Sequence, residues 1–382
     1  MEVRFGRSLA FCCALLILFA GLSHRSTEAQ GSVHAASLPP VEITLLTEDG
    51  GRADWSHALD LIAYDRMGSD GYYDVHLMTP QGVEGPCITC DNPLLPNRNI
   101  GNPAWHPYGA YLAIQVEKLA HDGNPASASP GLGINNDIWI IRRDGQQAIQ
   151  ITDVAEGMGV LHPHFSHDGS KLLWAERVAD GSNPSGLWLL RLLDLGDPAR
   201  LDRHAMQLTS YAPMGLAFYE SHGFSPDDTQ ILFTAHDMLY TPNRSWMDIY
   251  ALELETLRLR RLTYSPAVWD EHAQFSPDGQ YITWISSQGC NCYPLDPRDI
   301  ATELFMMRAD GSEKTQLTTL NAALLPGMPN QVAADHAWNA AGSSLVLYVQ
   351  DASEQRPLEG KLVRVDFPAI GTGLSQEDHG ME

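Results

Sequence analysis

From Val41 to Phe367 apolar and polar residues alternate in short runs, and turn-forming residues interrupt each run. The clearest case is Asp270 to Ser287, DEHAQFSPDGQYITWISS. Gln274 and Phe275 end one strand, Ser276-Pro277-Asp278-Gly279 reverses the chain, and Tyr281 to Ile285 begins the next. Pro277 presets φ for the first corner of a type I turn, Asp278 bonds its own backbone, and Gly279 takes the left-handed conformation that follows. A period of two predicts strands rather than helices, so the unit is a β-hairpin.

Five further copies align on this hairpin, anchored at Trp55, Trp105, Phe165, Phe224 and Trp338 beside Phe275. The spacing of roughly 50 to 60 residues is that of propeller blades. A third strand in each copy reads acid, aliphatic, aromatic or a variant: Asp74-Val75-His76, Asp137-Ile138-Trp139, Asp248-Ile249-Tyr250 and Glu303-Leu304-Phe305, more loosely Gly186-Leu187-Trp188 and Lys361-Leu362-Val363. A fourth ends in Ile-Thr or Leu-Thr, at Ile88-Thr89, Ile151-Thr152, Leu208-Thr209, Leu262-Thr263 and Leu317-Thr318. The sixth copy lacks this strand, whereas Val41 to Thr47 has the pattern and no partner of its own. Pairing the two closes a ring and removes open sheet edges. The expected fold is all-β: a six-bladed β-propeller of four-stranded antiparallel blades over residues 41–367, closed by the N-terminal strand.

The FSPDG and FSHDG hairpins, DIY-type strands and terminal Leu-Thr pairs resemble the WD-like repeats of TolB-like six-bladed propellers across roughly residues 41 to 367. The resemblance speaks for architecture more than for function, because such propellers serve as binding platforms, enzyme scaffolds and parts of peptidases. The α/β domain that precedes the propeller in TolB proper finds no room between Ala29 and Val41, and no G-x-S-x-G marks a hydrolase domain. A role in the Tol envelope system is therefore not expected.

Composition narrows the partners. The apolar fraction is 44% and the charged fraction 19%, as in ordinary globular chains. A formal net charge of -23 argues against nucleic acid, whose phosphates need Lys and Arg. Arg4 and Arg7 lead into the apolar run Leu9 to Leu22, which reads as an export signal over residues 1–29 with cleavage after Ala29, or at a more distant site after Ala35. An uncleaved anchor is the alternative. Residues 30–40 read as a linker and 368–382 as a flexible tail. The expected location is secreted or periplasmic, with no membrane attachment after cleavage. Of the cysteines, Cys87, Cys90, Cys290 and Cys292 remain in the mature chain, and that compartment favours structural disulfides over zinc or a thiol-redox site. Cys87 is expected to pair with Cys90, and Cys290 and Cys292 to form a local bridge or remain free thiols, because a long-range link from blade one to blade five is awkward.

Chemistry is expected on the face that collects the long loops between second and third strands and between blades. There the beginnings of the inner strands carry His162 with His164, His222, His272 and His336, accompanied by Glu220, Asp270, Glu271 and Asp335. Imidazoles and carboxylates converging on one channel suit a divalent metal, with His162, His222, His272 and His336 as candidate ligands, or acid-base chemistry. They equally suit histidines that satisfy backbone groups or line a water-filled channel. The register is uneven: His162 and His272 stand three residues before their anchors, His222 and His336 two, so a regular strand would turn them to different sides. His57, His106 and His167 read as turn residues of the opposite face, and Trp174 and Trp284 as packing between blades. Tyr240 and Trp246, in a long loop, are candidate ligand contacts, and Asn243-Arg244-Ser245 is a glycosylation sequon. Two functions follow as expectations. One is a platform that binds a protein, peptide or glycan through the long-loop face. The other is a metal-assisted lyase or hydrolase on an acidic or carbohydrate polymer, which the resemblance also implies, since a related propeller lyase holds metal through histidines.

Overall fold

The computed structural model describes residues 41–180, 183–196, 207–238, 246–265, 267–290, 292, 299–322, 324, 328–352 and 360–368. The expected signal segment, the linker, nearly all of the tail, Tyr240 and the sequon lie outside them. Among the described residues no helix is long and apolar enough to cross a membrane.

Among the described residues twenty-four strands, β1 to β24 in chain order, form six four-stranded antiparallel sheets. Five sheets are sequential meanders. The sixth has the order β1-β24-β23-β22, so the first strand, β1 (Glu42–Gly50), pairs with the last, β24 (Gly360–Asp366), with Glu42 opposite Asp366 and Leu45 opposite Val363. The ring is closed as the lone N-terminal pattern predicts, and β1 runs three residues beyond Thr47. The first strand of each blade lines the channel: β2 (Ala53–Ser56), β6 (Ile100–Trp105), β10 (Gly159–Phe165), β14 (Leu216–Phe224), β18 (Asp270–Phe275) and β22 (Gln331–Trp338). Each touches the next, and β22 returns to β2.

The apolar core is divided. Six clusters of buried side chains each join two neighbouring blades: Trp174 packs between blades two and three, Trp284 between four and five, and Leu46, Trp55 and Tyr348 between six and one. Apolar burial thus holds blade against blade and leaves the axis to polar groups.

The repeated acid and threonine have a physical cause. In four blades the acid that opens the third strand accepts from a threonine fifteen residues later: Thr89 to Asp74 at 2.6 Å, Thr152 to Asp137 at 3.0 Å, Thr263 to Asp248 at 3.2 Å and Thr318 to Glu303 at 2.6 Å. Each threonine hydroxyl also accepts the backbone N–H one residue past that acid, at 2.8 to 2.9 Å. The threonine therefore stands just past the outer strand as a latch, rather than inside it. Thr152→Val removes the latch and strands the buried Ile138 N–H, and is expected to cost about 1–3 kcal/mol in chemical denaturation. Unchanged stability would refute the latch.

Candidate functional site

Inner strands enter the channel through β-bulges. The pairing with the second strand slips between Gly101 and Ala104, Leu161 and His164, Ser221 and Phe224, Glu271 and Gln274, and Ala333 and His336. Asn102, His162 and His272 occupy left-handed backbone there, with φ of 48°, 47° and 52°. A bulge inserts one residue and re-aims side chains, and non-glycine residues hold this conformation at a cost, commonly where function requires it.

The bulges resolve the uneven register of the histidines. The position three before each anchor is Arg52, Asn102, His162, Ser221, His272 or Asp335, one residue from each blade. Five of these side chains join across the axis. Arg52 Nε lies 3.3 Å from Asp335 Oδ2, and Asp335 Oδ1 lies 3.2 Å from His272 Nδ1 and 3.3 Å from His162 Nδ1. His162 Nδ1 also lies 3.1 Å from Asn102 Nδ2. The preceding positions in blades four and five add Glu220, 2.8 Å from His162 Nε2 and 3.9 Å from His272 Nδ1, and Glu271, 3.4 Å from His272 Nε2.

Burial opposes a charge on His162, but Glu220 and Asp335 outweigh it and raise its pKa to about 10. Both carboxylates are held well below their usual range, against burial, by the imidazoles around them. Glu271 goes the other way: burial, then Glu220, pushes it well above the carboxylate range, and it shares a hydrogen bond with Glu220 as the protonated partner.

A divalent cation fits these donors. Two three-residue sets that share His272 bring one ligand atom each within reach of an ion: Glu220, His222 and His272, and His162, His272 and Asp335, in which Asp335 Oδ1 lies 3.2 Å from His272 Nδ1 and 3.3 Å from His162 Nδ1, near the roughly 3 Å spacing of ligands around an ion bound at about 2.1 Å. His272 Nδ1 and Asp335 Oδ2 are buried without a well-aligned hydrogen bond.

His222 also stands beside Glu220 and His272, and the remaining sequence candidates have other places. His222 Nε2 accepts the His272 N–H at 3.2 Å and lies 2.6 Å from Thr234 Oγ1, so it braces the bulge that carries His272. His336 turns between blades five and six, its Nε2 2.7 Å from Thr283 Oγ1, and burial followed by His272 lowers its pKa to about 3. Asp270 accepts from Trp284 Nε1 at 3.1 Å inside blade five. His164 faces the opposite end of the channel, where a 140 Å³ cavity is shared with His57 and His167 from the turns. Trp246 is half-buried, with its carbonyl 3.3 Å from His236 Nδ1.

Above the charged layer, on the long-loop side, a cavity of 210 Å³ is lined by Arg52, Gly131, Phe218, Trp269, Glu271 and His272 among others. Gly131, in the long loop of blade two, has φ of 81° and lies so close over the Arg52 guanidinium that any side chain would collide with it. Arg52, Asn102, Phe218 and Trp269 were not singled out in the sequence. Reading all six copies at the position three before the anchor would have found the first two.

Comparison with known proteins bears on the ring alone. The fold is that of the TolB-like propellers. TolB of Acinetobacter baumannii superposes with a TM-score of 0.52 at 14% identity, over 81% of this chain and 64% of that one, so the match spans less than two thirds of its length. The putative TolB of Agrobacterium tumefaciens gives 0.50 at 16% identity, over 73% of this chain and 87% of that one. An oligogalacturonate lyase in complex with manganese aligns over 87% of this chain and 98% of that one at 11% identity, with a TM-score of 0.45, too low to argue from. No protein-family model and no curated protein sequence matches the chain.

Proposed function

We propose that this chain is an exported propeller that holds a divalent transition metal in its channel through His162, His272 and Asp335 and binds the end of a peptide or glycan in the cavity above it. The observation that carries the metal is the convergence of His162, His272 and Asp335 from three blades, largely withdrawn from water. Phe218 and Trp269 give the cavity flat apolar walls, and Arg52 and Gln350 give it polar ones. That mixture suits a sugar ring or a short side chain. The bridges between Cys87 and Cys90 and between Cys290 and Cys292, both formed, support an oxidising compartment.

One observation favours catalysis as a second reading. Glu271 is a buried, protonated acid that lines the cavity and stands beside His272, the arrangement of a general acid next to a Lewis acid.

Elemental analysis and calorimetric titration of the metal-free chain with manganese, zinc and calcium test the proposal. Wild type is expected to bind one ion per chain, more weakly as protons compete for the imidazoles in acid. Removal of a direct ligand in His272→Ala should lower affinity more than about 100-fold while the blades stay folded, because even supporting residues of metal sites are worth 10- to 100-fold. Failure of wild type to take up any of the three ions would refute the metal. Glu271→Gln separates the readings: it abolishes turnover of a glycan or peptide if the chain is an enzyme, and leaves ligand capture intact if it is not.

A further inference from the structure

Outside the channel, on the outer edge of blade one, a second reactive cluster stands apart from the proposed metal site. β4 (Tyr73–Met78) pairs with β5 (Glu84–Cys87) so that His76 faces Cys87, and Cys87 is bridged to Cys90. The two residues between the cysteines are fixed. Ile88 N–H donates to Val75 O at 2.9 Å, and Thr89 is latched to Asp74 and to the Val75 N–H. Cys90 is exposed, Cys87 is half-buried, and a cavity of 410 Å³ bordered by Arg66, Tyr73, Asp74, His76 and Cys90 opens beside them.

The tautomer of His76 decides what this cluster can do. Arg66 Nη2 lies 3.3 Å from His76 Nδ1, and a guanidinium only donates, so Nδ1 is the acceptor. Burial, then the Arg66 charge, lowers the His76 pKa to about 4, which leaves the ring neutral at pH 7 with its proton on Nε2. That nitrogen lies 3.9 Å from Cys90 Sγ. A histidine that ligates zinc presents a bare nitrogen to the metal and donates its other N–H to an acceptor. Arg66 imposes the reverse. His76, Cys87 and Cys90 are close enough to hold a metal after reduction, yet the ring presents an N–H suited to a thiolate.

We propose that the bridge between Cys87 and Cys90 is an exchange-active disulfide, with Cys90 as the sulfur that reacts with external thiols. An incoming thiolate attacks Cys90 Sγ, the bond to Cys87 breaks, and Cys87 leaves as a thiolate whose sulfur already accepts the Cys90 N–H at 3.0 Å. A second thiolate then attacks the captured sulfur and releases Cys90 as a thiolate facing the His76 N–H. Two external thiols are oxidised to one disulfide, the protein pair is reduced to a dithiol, and the protons of the two thiols pass to solvent or to the new thiolates. A small disulfide such as oxidised glutathione restores the bridge by the reverse steps. Around Cys90, Arg66 and the His76 N–H favour a thiolate, whereas Asp74, Glu84 and Asp91 oppose it.

The test uses the full chain in glutathione redox buffers, followed by alkylation and peptide mass spectrometry. The folded wild type is expected to release Cys87 and Cys90 as free thiols to millimolar reduced glutathione, whereas a structural staple resists that pool. In Cys87→Ser, glutathione should be captured on Cys90, and the Cys90 thiol should titrate at least about one pH unit below the ordinary 8.5 or so, returning toward it when His76→Phe is added. A bridge that stays oxidised in the folded wild type, or a Cys90 thiol that titrates at or above the ordinary value, overturns the proposal. The first measurement needs no variant, so it stands even where Cys87→Ser does not fold.

Discussion

A chain from which residues 41–50 have been deleted is expected to melt about 10 °C or more below the full chain, or to lose its cooperative transition. At roughly 2–4 °C per kcal/mol for a large domain, that is a loss of several kcal/mol. β1 is the outer strand of blade six, and without it β24 presents a full row of unpaired backbone groups. The loss reaches the seam between the last and first blades. Leu46 is buried there with Trp55, Tyr64, Tyr348 and Leu362, and Gly82 of blade one lies against the Leu46 carbonyl. Arg364 still reaches across the seam to Pro80 O at 2.8 Å, but one part-buried hydrogen bond does not replace a strand. Leu45, on the other side of β1, is 49% exposed, so Leu45→Lys should shift the transition by no more than a degree or two. Comparable melting of the deletion and that variant would mean that the ring does not depend on its closing strand.

That the closure was legible, and the site only in part, follows from how each is encoded. A propeller repeats its turns and latches: Gly279, Gly169 and Gly109 carry the left-handed corner of equivalent hairpins, and each latch pairs an acid with a threonine fifteen residues on. Such features align when copies are stacked, so strand order could be read directly. The channel residues vary from blade to blade by chemistry, Arg52 facing Asp335 and Asn102 facing His162, and they share only a position. Aromatic anchors mark that position, and histidine occupies it in only two blades, at His162 and His272. One residue nearer its anchor, His336 turns between blades five and six, whereas His222 in the same register stands beside Glu220 and His272. The bulges were out of reach, because a bulge is a mismatch between two strands and one strand's sequence does not contain it. Phe218, in left-handed backbone with φ of 55°, and Trp269, just before β18, carry no repeated motif that marks them.

The largest effect from a single side chain is expected at Asp65, which no motif marks. It lies in β3 (Leu61–Met67), fully buried, where Oδ1 accepts the Arg52 N–H at 3.0 Å and Oδ2 the Asn102 N–H at 2.8 Å. One carboxylate therefore ties the inner strands of blades one and two together at the level of the charged layer. Gly51 and Gly101 pack against it so closely that a methyl group on either would overlap its oxygens. Asp65→Ala leaves two buried N–H groups without acceptors and removes an anion from beside Arg52, and is expected to cost about 3–5 kcal/mol. It should also weaken metal uptake, since Arg52 and Asn102 position Asp335 and His162. Acid distinguishes this carboxylate from an ordinary ion pair. Burial, outweighing Arg52 and the two backbone donors, raises its pKa to about 6 from 3.8, so the folded state binds the proton more tightly than the unfolded chain. Its contribution to stability accordingly grows as pH falls from about 6 toward 3.8, and the gap between wild type and Asp65→Ala should be wider at pH 4.5 than at pH 7. Urea unfolding of both chains at the two pH values measures that gap. A variant within about 1 kcal/mol of wild type at pH 7, or a gap that narrows in acid, would remove Asp65 from the frame that holds the channel.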